Sequence, residues 1–210
     1  MRRPLLLGLG ATLILAAQVT PLAHESDTRS FAAHMAQHLL MGDLAPLAVA
    51  IAFRRGLTRL VLSPAATLPL WLANLAAWHV PIVYEAALHH LALHAVQHVA
   101  LFAGGVLLWA PVFEAFGTPL WFGDGGRLLY LLVAMFSGVA IAAVFLWWPR
   151  TIYSTYAHSG GFAGLSPHGD QRAGGGLMLL EGTAVTLSVA AWLVWRLFNI
   201  QPSETTSALG

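Results

Sequence analysis

Five long stretches of apolar residues are the feature that most limits how this chain can fold. They cover residues 31–53, 64–84, 91–113, 128–148 and 176–198. Each is close to the length of about 20 residues that an α-helix needs to cross the hydrocarbon core of a bilayer. Inside lipid every backbone polar group must be paired within the structure, so these stretches are predicted to be helices. The predicted fold class is all-α, a polytopic membrane bundle with five mature transmembrane helices.

The composition supports this fold class and excludes several others. Charged residues make up 9% of the chain, against about 25% in a typical soluble domain. The formal net charge is +1 and no block of basic residues is present, which argues against nucleic acid as a partner. The chain has no cysteine, so disulfide, thiolate–metal and thiol redox chemistry are excluded. Membrane lipid is the expected surrounding.

Three regions are predicted along the chain. Residues 1–23 form a signal peptide or an N-terminal anchor, because two arginines precede an apolar stretch and small residues follow near Ala23. Cleavage is favoured over retention, although the site is not a clean Ala-x-Ala motif. Residues 24–199 form the transmembrane helical bundle, and residues 200–210 form a short polar C-terminal tail.

The arginines predict how the bundle is oriented. If the spans alternate in direction, seven of the ten arginines fall on one side of the membrane. Positively charged loops stay in the cytoplasm, so this side is predicted to be cytoplasmic. The long loop of residues 149–175 is then outside. An aromatic belt is predicted at this outer interface, formed by Trp147, Trp148, Tyr153 and Tyr156.

Histidines are the main clue to function, and the chain has ten of them. On the predicted topology all ten fall on the outer side, whereas histidines that only prefer interfaces would occur on both sides. His34 and His38 are four residues apart, as are His94 and His98, and each pair reads His-x-x-Gln-His at the outer mouth of a helix. Residues at this spacing share one face of a helix. The two imidazoles of a pair can therefore bind one metal ion.

Further residues extend the predicted metal site. His79 lies at a similar depth in its own helix, and Pro81 is expected to kink that helix and aim the imidazole inward. Met178 opens the last span with a thioether, a soft ligand that suits Cu(I). The predicted metal ligands are His34, His38, His79, His94, His98 and Met178. Side chains predicted to orient the imidazoles are Gln37, Gln97 and Asp170.

Histidines that only hold helices together are the alternative explanation. Hydrogen bonds between polar side chains do join membrane helices, and for a single histidine this explanation would be preferred. Five imidazoles at one depth favour metal or haem binding instead, because polar groups in a membrane usually mark function. Asp43 lies about 140° around the helix from His38. It is therefore predicted to be a proton partner or to make an interhelical hydrogen bond, not to be a fellow ligand.

Taken together, these motifs resemble the multi-pass CtaG family of bacterial assembly proteins for haem–copper cytochrome c oxidase, first associated with the caa type. The resemblance covers most of residues 31–198. The matching motifs are His34-x-x-x-His38 followed by Pro46, Trp78-His79-x-Pro81 with Tyr84, His94-x-x-x-His98, and Asp170-Gln-x-x-Gly-Gly with Met178. The resemblance implies a role in building the oxidase at its copper centre. A soluble, cysteine-dependent copper donor shares the family's name, and the lack of cysteine excludes it.

The predicted function is that of a membrane-embedded assembly factor, not an enzyme. It binds copper at the outer face through histidines and supports insertion of the copper into the oxidase. The expected partner is the catalytic subunit of the oxidase or another copper chaperone. The expected location is the bacterial cytoplasmic membrane, with the histidines on the outer or periplasmic side. The identification of the metal as copper rests partly on the resemblance, because imidazole also binds zinc.

Two other functions stay open at this point. One is a membrane metalloenzyme of the histidine-box di-iron type, for which His89, His90 and the two histidine pairs would be ligands. The other is a b-type haem electron carrier with His38 and His98 as axial ligands.

Overall fold

The predicted apolar stretches are helices in the computed structural model, which describes residues 2–20, 22, 26 and 29–199. Four of these helices are long and apolar enough to cross a membrane, namely Phe31–Ala52, Leu91–Val112, Asp124–Trp147 and Pro167–Asn199. The bent pair of Pro64–His79 and Pro81–His89 is a fifth candidate span. The chain is a multi-pass membrane protein, and the predicted all-α bundle is confirmed. His24 and the predicted tail of residues 200–210 lie outside the described residues.

We label the elements in chain order. The helices are α1 (Arg2–Val19), α2 (Phe31–Ala52), α3 (Pro64–His79), α4 (Pro81–His89), α5 (Leu91–Val112), α6 (Asp124–Trp147) and α7 (Pro167–Asn199). A π-helical turn, Leu40–Leu44, interrupts α2 near its middle. Two short parallel strands, β1 (Leu57–Val61) and β2 (Phe116–Gly117), pair next to the loops that follow α2 and α5. Two 3-10 turns, Ser154–Tyr156 and Phe162–Gly164, lie between α6 and α7.

The bend between α3 and α4 has a covalent cause. The two helices meet at 70°, and Val80 between them has the extended backbone angles φ −65° and ψ 126°. Pro81 has no N–H to continue the helix, and its ring disfavours the helical conformation of the residue before it. The predicted kink at Pro81 is confirmed. It makes His79 the last residue of α3.

Helices α2 and α5 cross in direct backbone contact. A Cβ atom built on Gly105 would lie 2.1 Å from the carbonyl oxygen of Gly42, so only glycine fits at this crossing. Close approach through small residues is typical of membrane helix pairs. The rings of His34 and His94 also lie near each other. The two helices therefore run in the same direction, and their His-x-x-Gln-His repeats lie at the same depth.

The two ends of the bundle differ in composition. We call the end that holds the starts of α2, α5 and α7 the histidine end, and the opposite end the arginine end. Arginine side chains gather at the arginine end, in ion pairs or over aromatic rings; they are Arg3, Arg54, Arg55, Arg127 and Arg196. The core of that half contains Trp109, Phe113, Tyr130 and Leu193.

An aromatic cluster closes the histidine end. We call Phe31, Tyr84, Phe145, Tyr153 and Tyr156 the aromatic cap. Tyr153 and Tyr156 are each 1% exposed, so the predicted interfacial belt is wrong for these two residues. Their hydroxyl groups find buried acceptors, the carbonyl oxygens of His79 and Ser26. Trp147 and Trp148 remain exposed at the surface.

Candidate metal centre

Four imidazoles from α2 and α5 meet at the histidine end. Within each repeat, the ring centroids are 4.1 Å apart for His34 and His38 and 4.2 Å apart for His94 and His98. Between the helices, the centroids are 5.7 Å apart for His34 and His94 and 5.6 Å apart for His38 and His98. The repeats thus face each other as a four-sided group. We call these four residues the histidine cage.

Three members of the cage have nitrogens close enough to share one ion. One ring nitrogen from each of His34, His38 and His94 lies within 4.8 Å of the other two. Imidazole nitrogens bind zinc at about 2.0–2.1 Å, so two ligands on one ion are separated by at most about 4 Å. Small side-chain rotations would bring these three nitrogens to one metal ion. His98 forms the fourth side of the cage.

The cage is buried, and nitrogens of two of its imidazoles have no hydrogen-bond partner among the described residues. His34 is 0% exposed, and the other three imidazoles are at most 9% exposed. Within the described residues, the Nε2 atoms of His38 and His98 have no hydrogen-bond partner. Burial of a polar group without a partner costs free energy. Lone pairs that lack protein partners are available to a ligand, so the cage has the donors that a metal ion requires.

The two glutamines of the repeats have different surroundings. Gln37 donates from Nε2 to the carbonyl oxygen of Ala17 at 3.0 Å, and its Oε1 accepts from the Ser26 hydroxyl at 3.0 Å. Gln97 is 0% exposed, and neither of its amide atoms has a partner in the described part of the chain. Gln37 therefore ties α2 to the N-terminal segment, which differs from its predicted role of orienting an imidazole.

Another amide does contact the cage, although the sequence analysis did not single it out. The Nε2 atom of Gln18 on α1 lies 3.0 Å from Nδ1 of His98. A partner at one ring nitrogen fixes the orientation of the ring and presents the other nitrogen to a ligand. Gln18 lies within the stretch predicted to be a signal peptide, which concealed this role.

Asp170 acts on the cage through the backbone. It is 0% exposed, and it accepts hydrogen bonds from the Ser30 hydroxyl at 2.7 Å and from the Phe31 N–H at 2.6 Å. These bonds fix the first turn of α2, three residues before His34. The predicted contact of Asp170 with an imidazole is replaced by this control of the helix start.

His79 and Met178 lie beside the cage and not within its group of three nitrogens. They line a cavity of about 120 Å³ that His38 also reaches. Nδ1 of His79 lies 2.7 Å from the carbonyl oxygen of Leu75, so this nitrogen carries the proton and donates it. Nε2 has no partner among the residues that the structure describes, and its lone pair is available to the cavity. Met178 also packs against the aromatic cap.

Two carboxyl groups line the same cavity at greater depth. Trp109 donates from Nε1 to Asp43 at 2.5 Å, which confirms the predicted interhelical hydrogen bond of Asp43. Glu181 lies beside the Asp43 carboxyl and lines the same cavity. Glu181 was not among the predicted site residues, although an acidic residue within a predicted span is a signal of function.

The aromatic cap covers the cage at the end of the bundle. The ring of Tyr84 lies 4.9 Å from that of His34 and stacks on Tyr153 at 3.9 Å. Burial, together with Tyr156 and Glu85, raises the pKa of Tyr153 above its ordinary value. Its hydroxyl therefore keeps its proton and donates to the carbonyl oxygen of His79 at 3.0 Å. The long loop between α6 and α7 thereby packs directly over the site.

Comparison with known proteins identifies a protein family that the chain matches. Residues 51–199 match the family model described as Cytochrome c oxidase caa3 assembly factor (Caa3_CtaG). No curated protein and no solved structure matches the chain. The matched segment contains His79, His94 and His98, and it begins after His34 and His38.

Proposed function

Because the chain belongs to the family of cytochrome c oxidase caa3 assembly factors, we propose that it binds copper at the histidine cage and supports insertion of this copper into a haem–copper oxidase. The observation that carries the proposal is the meeting of four buried imidazoles from two matching repeats. At two of them, His38 and His98, the described residues supply no hydrogen-bond partner for Nε2.

The donor set suits a metal that is held and then passed on. Neutral imidazole binds copper and zinc, whereas thiolates would hold Cu(I) more tightly, and this chain has no cysteine. The thioether of Met178 lines the adjacent cavity together with His38 and His79. A soft sulfur ligand next to imidazoles favours Cu(I) over zinc.

The histidine end is proposed to face the outside of the bacterial cytoplasmic membrane. The arginine end holds the side chains of Arg3, Arg54, Arg55, Arg127 and Arg196, and positive residues are retained on the cytoplasmic side. The catalytic subunit of the oxidase, or another copper chaperone, would then meet the cage from the outer side.

Two observations favour copper transfer over the other functions. A b-type haem would use two axial histidines, whereas four imidazoles meet in the cage. The di-iron enzyme would use His89 and His90 as ligands, and both are exposed at the junction of α4 and α5. The protein is therefore proposed to act by holding and releasing a metal, without catalysing a reaction.

The test is metal binding by the purified full-length protein. After loading with Cu(I) under reducing conditions and washing, we expect a colourless protein that retains copper in a fixed ratio. The variant His158→Gln changes an exposed histidine of the loop between α6 and α7 and is expected to retain the same amount. A Soret band in the isolated protein would identify haem and contradict the proposal, as would wild-type protein that retains no copper.

A further inference from the structure

We infer that α1 is retained in the mature protein as a helix of the bundle and that its Gln18 is a positioning residue for His98. The retention of α1 stands on packing alone, whereas the role of Gln18 rests on the proposed copper site. The sequence pattern by itself favours removal of residues 1–23. The contacts of α1 point the other way.

Helix α1 packs against the bundle along its whole length. Near the arginine end, the guanidinium of Arg3 lies 4.2 Å from the ring centroid of Phe53. In the middle, a Cβ atom built on Gly10 would lie 3.5 Å from the carbonyl oxygen of Ala45, so the backbones approach closely through a small residue. Near the histidine end, Ala17 is 0% exposed. With 18 residues, α1 is about 27 Å long; it is not among the candidate spans, so the inference rests on its packing.

A buried polar side chain of α2, Gln37, has a hydrogen-bond partner on α1. Gln37 is 1% exposed, and its two hydrogen bonds go to Ala17 and Ser26. These partners lie on opposite sides of the predicted cleavage point at residue 23. Cleavage there would remove the carbonyl acceptor of the Gln37 amide. Loss of a hydrogen-bond partner within a membrane costs free energy, so the bond between Gln37 and Ala17 favours retention of α1.

The contact between Gln18 and His98 serves metal binding through Nε2. As placed, the Gln18 amide nitrogen donates to Nδ1, which puts the ring proton on Nε2. The oxygen and nitrogen of a glutamine amide exchange places by a 180° rotation. In the rotated orientation the amide oxygen accepts a proton from Nδ1, and the Nε2 lone pair is available to a metal. Gln18 therefore orients the His98 ring in both tautomers.

Helix α1 also controls access to the cage. A cleft of about 510 Å³ between α1 and α5 is lined by Ile14 and Gln18 on one side and by Leu91, His94 and His98 on the other. Removal of α1 would delete one wall of this cleft and expose the imidazoles of α5 to lipid. Retained, α1 confines access from this side to a bounded opening.

The first experiment determines the N-terminus of the protein. Full-length protein with a C-terminal tag is extracted from membranes and analysed by intact mass and N-terminal sequencing. We expect a chain that starts at Met1 or Arg2. A chain that starts near residue 24 would overturn the retention of α1, whatever the outcome of copper binding.

The second experiment compares variants of α1 by competition for Cu(I) with a chromogenic chelator. Gln18→Leu is expected to weaken Cu(I) binding about 10–100-fold, as is usual for loss of a group that orients a metal-bound histidine. Gln18→Glu keeps an acceptor for Nδ1 and is expected to restore wild-type affinity. Thr12→Val, which removes an exposed hydroxyl on the same helix, is the matched control and is expected to bind as the wild type does.

The outcomes separate this inference from the proposed function. Wild-type protein that binds no Cu(I) contradicts the proposed function, while the N-terminus still decides whether α1 is retained. Wild-type protein that binds Cu(I) with the same affinity as Gln18→Leu overturns the positioning role. Equal weakening by Gln18→Leu and Gln18→Glu would also overturn it, because the hydrogen bond to Nδ1 would then not be the cause.

Discussion

The arginine end and the histidine end differ in how their buried polar groups are paired. At the arginine end, Arg127 lies 2.6 Å from Asp124 and 2.7 Å from Glu114, and Arg196 reaches the same two carboxylates. At the histidine end, the Nε2 atoms of His38 and His98 lack hydrogen-bond partners within the described residues. The charges at the arginine end are balanced by one another, although Nε of Arg127 and Nη1 of Arg196 have no hydrogen-bond partner among the described residues. Guanidinium nitrogens only donate, whereas an imidazole nitrogen with a free lone pair can bind a metal ion.

Glu114 shows how tightly the arginine end is organised. Burial alone would raise the pKa of Glu114, but the hydrogen bond from Arg55 and the charges of Arg127 and Arg196 lower it below its ordinary value. Arg55 and Glu114 both have φ of 56°, a left-handed backbone that costs non-glycine residues about 1–2 kcal/mol. Their ion pair at 2.7 Å joins these two strained turns.

The sharpest test of the comparison removes one repeat of the cage. We expect His34→Gln with His38→Gln to eliminate Cu(I) retention, and the same for His94→Gln with His98→Gln, because a neutral amide is a far weaker ligand than imidazole. Yields from membranes should stay normal, since glutamine keeps interhelical hydrogen bonds worth about 0.6 kcal/mol each. Bound copper per protein is the measurement. The exposed pair His89→Gln with His90→Gln is the control, and full copper retention in both cage variants would refute the site.

The converse test disrupts the arginine end. Arg127→Met leaves Asp124 and Glu114 with fewer partners in a buried network, and we expect a loss of stability of about 3 kcal/mol, the lower end for a broken buried ion pair because Arg196 remains. Arg55→Met removes a pair whose arginine is 66% exposed, so it should cost at most about 1 kcal/mol. Thermal unfolding in detergent measures both. Copper per folded protein should stay unchanged, and its loss in Arg127→Met would show that the two ends are coupled.

Low pH should reduce the stability of the folded protein because Glu114, at the arginine end, becomes protonated. Its pKa is lowered in the folded protein from the ordinary value of 4.5, so the carboxylate stabilises the fold above pH 4.5 and this contribution is lost as pH falls through the folded value. We expect the melting temperature of Glu114→Gln to be lower than that of the wild type at pH 7. The difference should shrink between pH 5 and pH 3. A gap that is constant over this range would indicate that the charge of Glu114 is not the cause.

The smallest expected effect concerns the aromatic cap. Tyr153→Phe removes the hydroxyl donor to the carbonyl oxygen of His79, and we expect a loss of about 1 kcal/mol of stability. Cu(I) affinity should change little, because the cap covers the cage without supplying a ligand. Trp147→Phe, at an exposed aromatic residue of the same end, is the comparison. An affinity loss as large as that of a cage variant would place the cap within the metal site.

Parts of the fold can be predicted from the sequence where a single property of nearby residues determines them. The length of each apolar stretch predicts a span, and the covalent structure of Pro81 predicts the bend after His79. The spacing of His34 and His38 places them on one face, but only the contact between Gly42 and Gly105 brings that face to the other repeat. This depends on how two distant helices pack, which periodicity does not encode.

Other parts of the site depend on partners far along the chain. The stretch that contains Gln18 has the same apolar character whether it is cleaved or packed, so its hydrogen bond to His98 has no local signature. Tyr153 and Tyr156 have the amphipathic rings of an interfacial belt. They turn inward because His79 and Ser26 offer carbonyl acceptors. Glu181 was recognisable as an acidic residue in a span, but its position beside Asp43 was not, because the two residues lie on helices distant in sequence.

The crossing of Gly42 and Gly105 also determines how the cage could widen. Backbone atoms in contact do not compress, so this point is a fixed pivot, four residues from His38 and seven from His98. At 1.5 Å per residue, a rotation of about 5° around the pivot moves the His98 backbone by about 1 Å. If the starts of α2 and α5 moved apart, the cage would therefore widen while the distance at the pivot stayed the same.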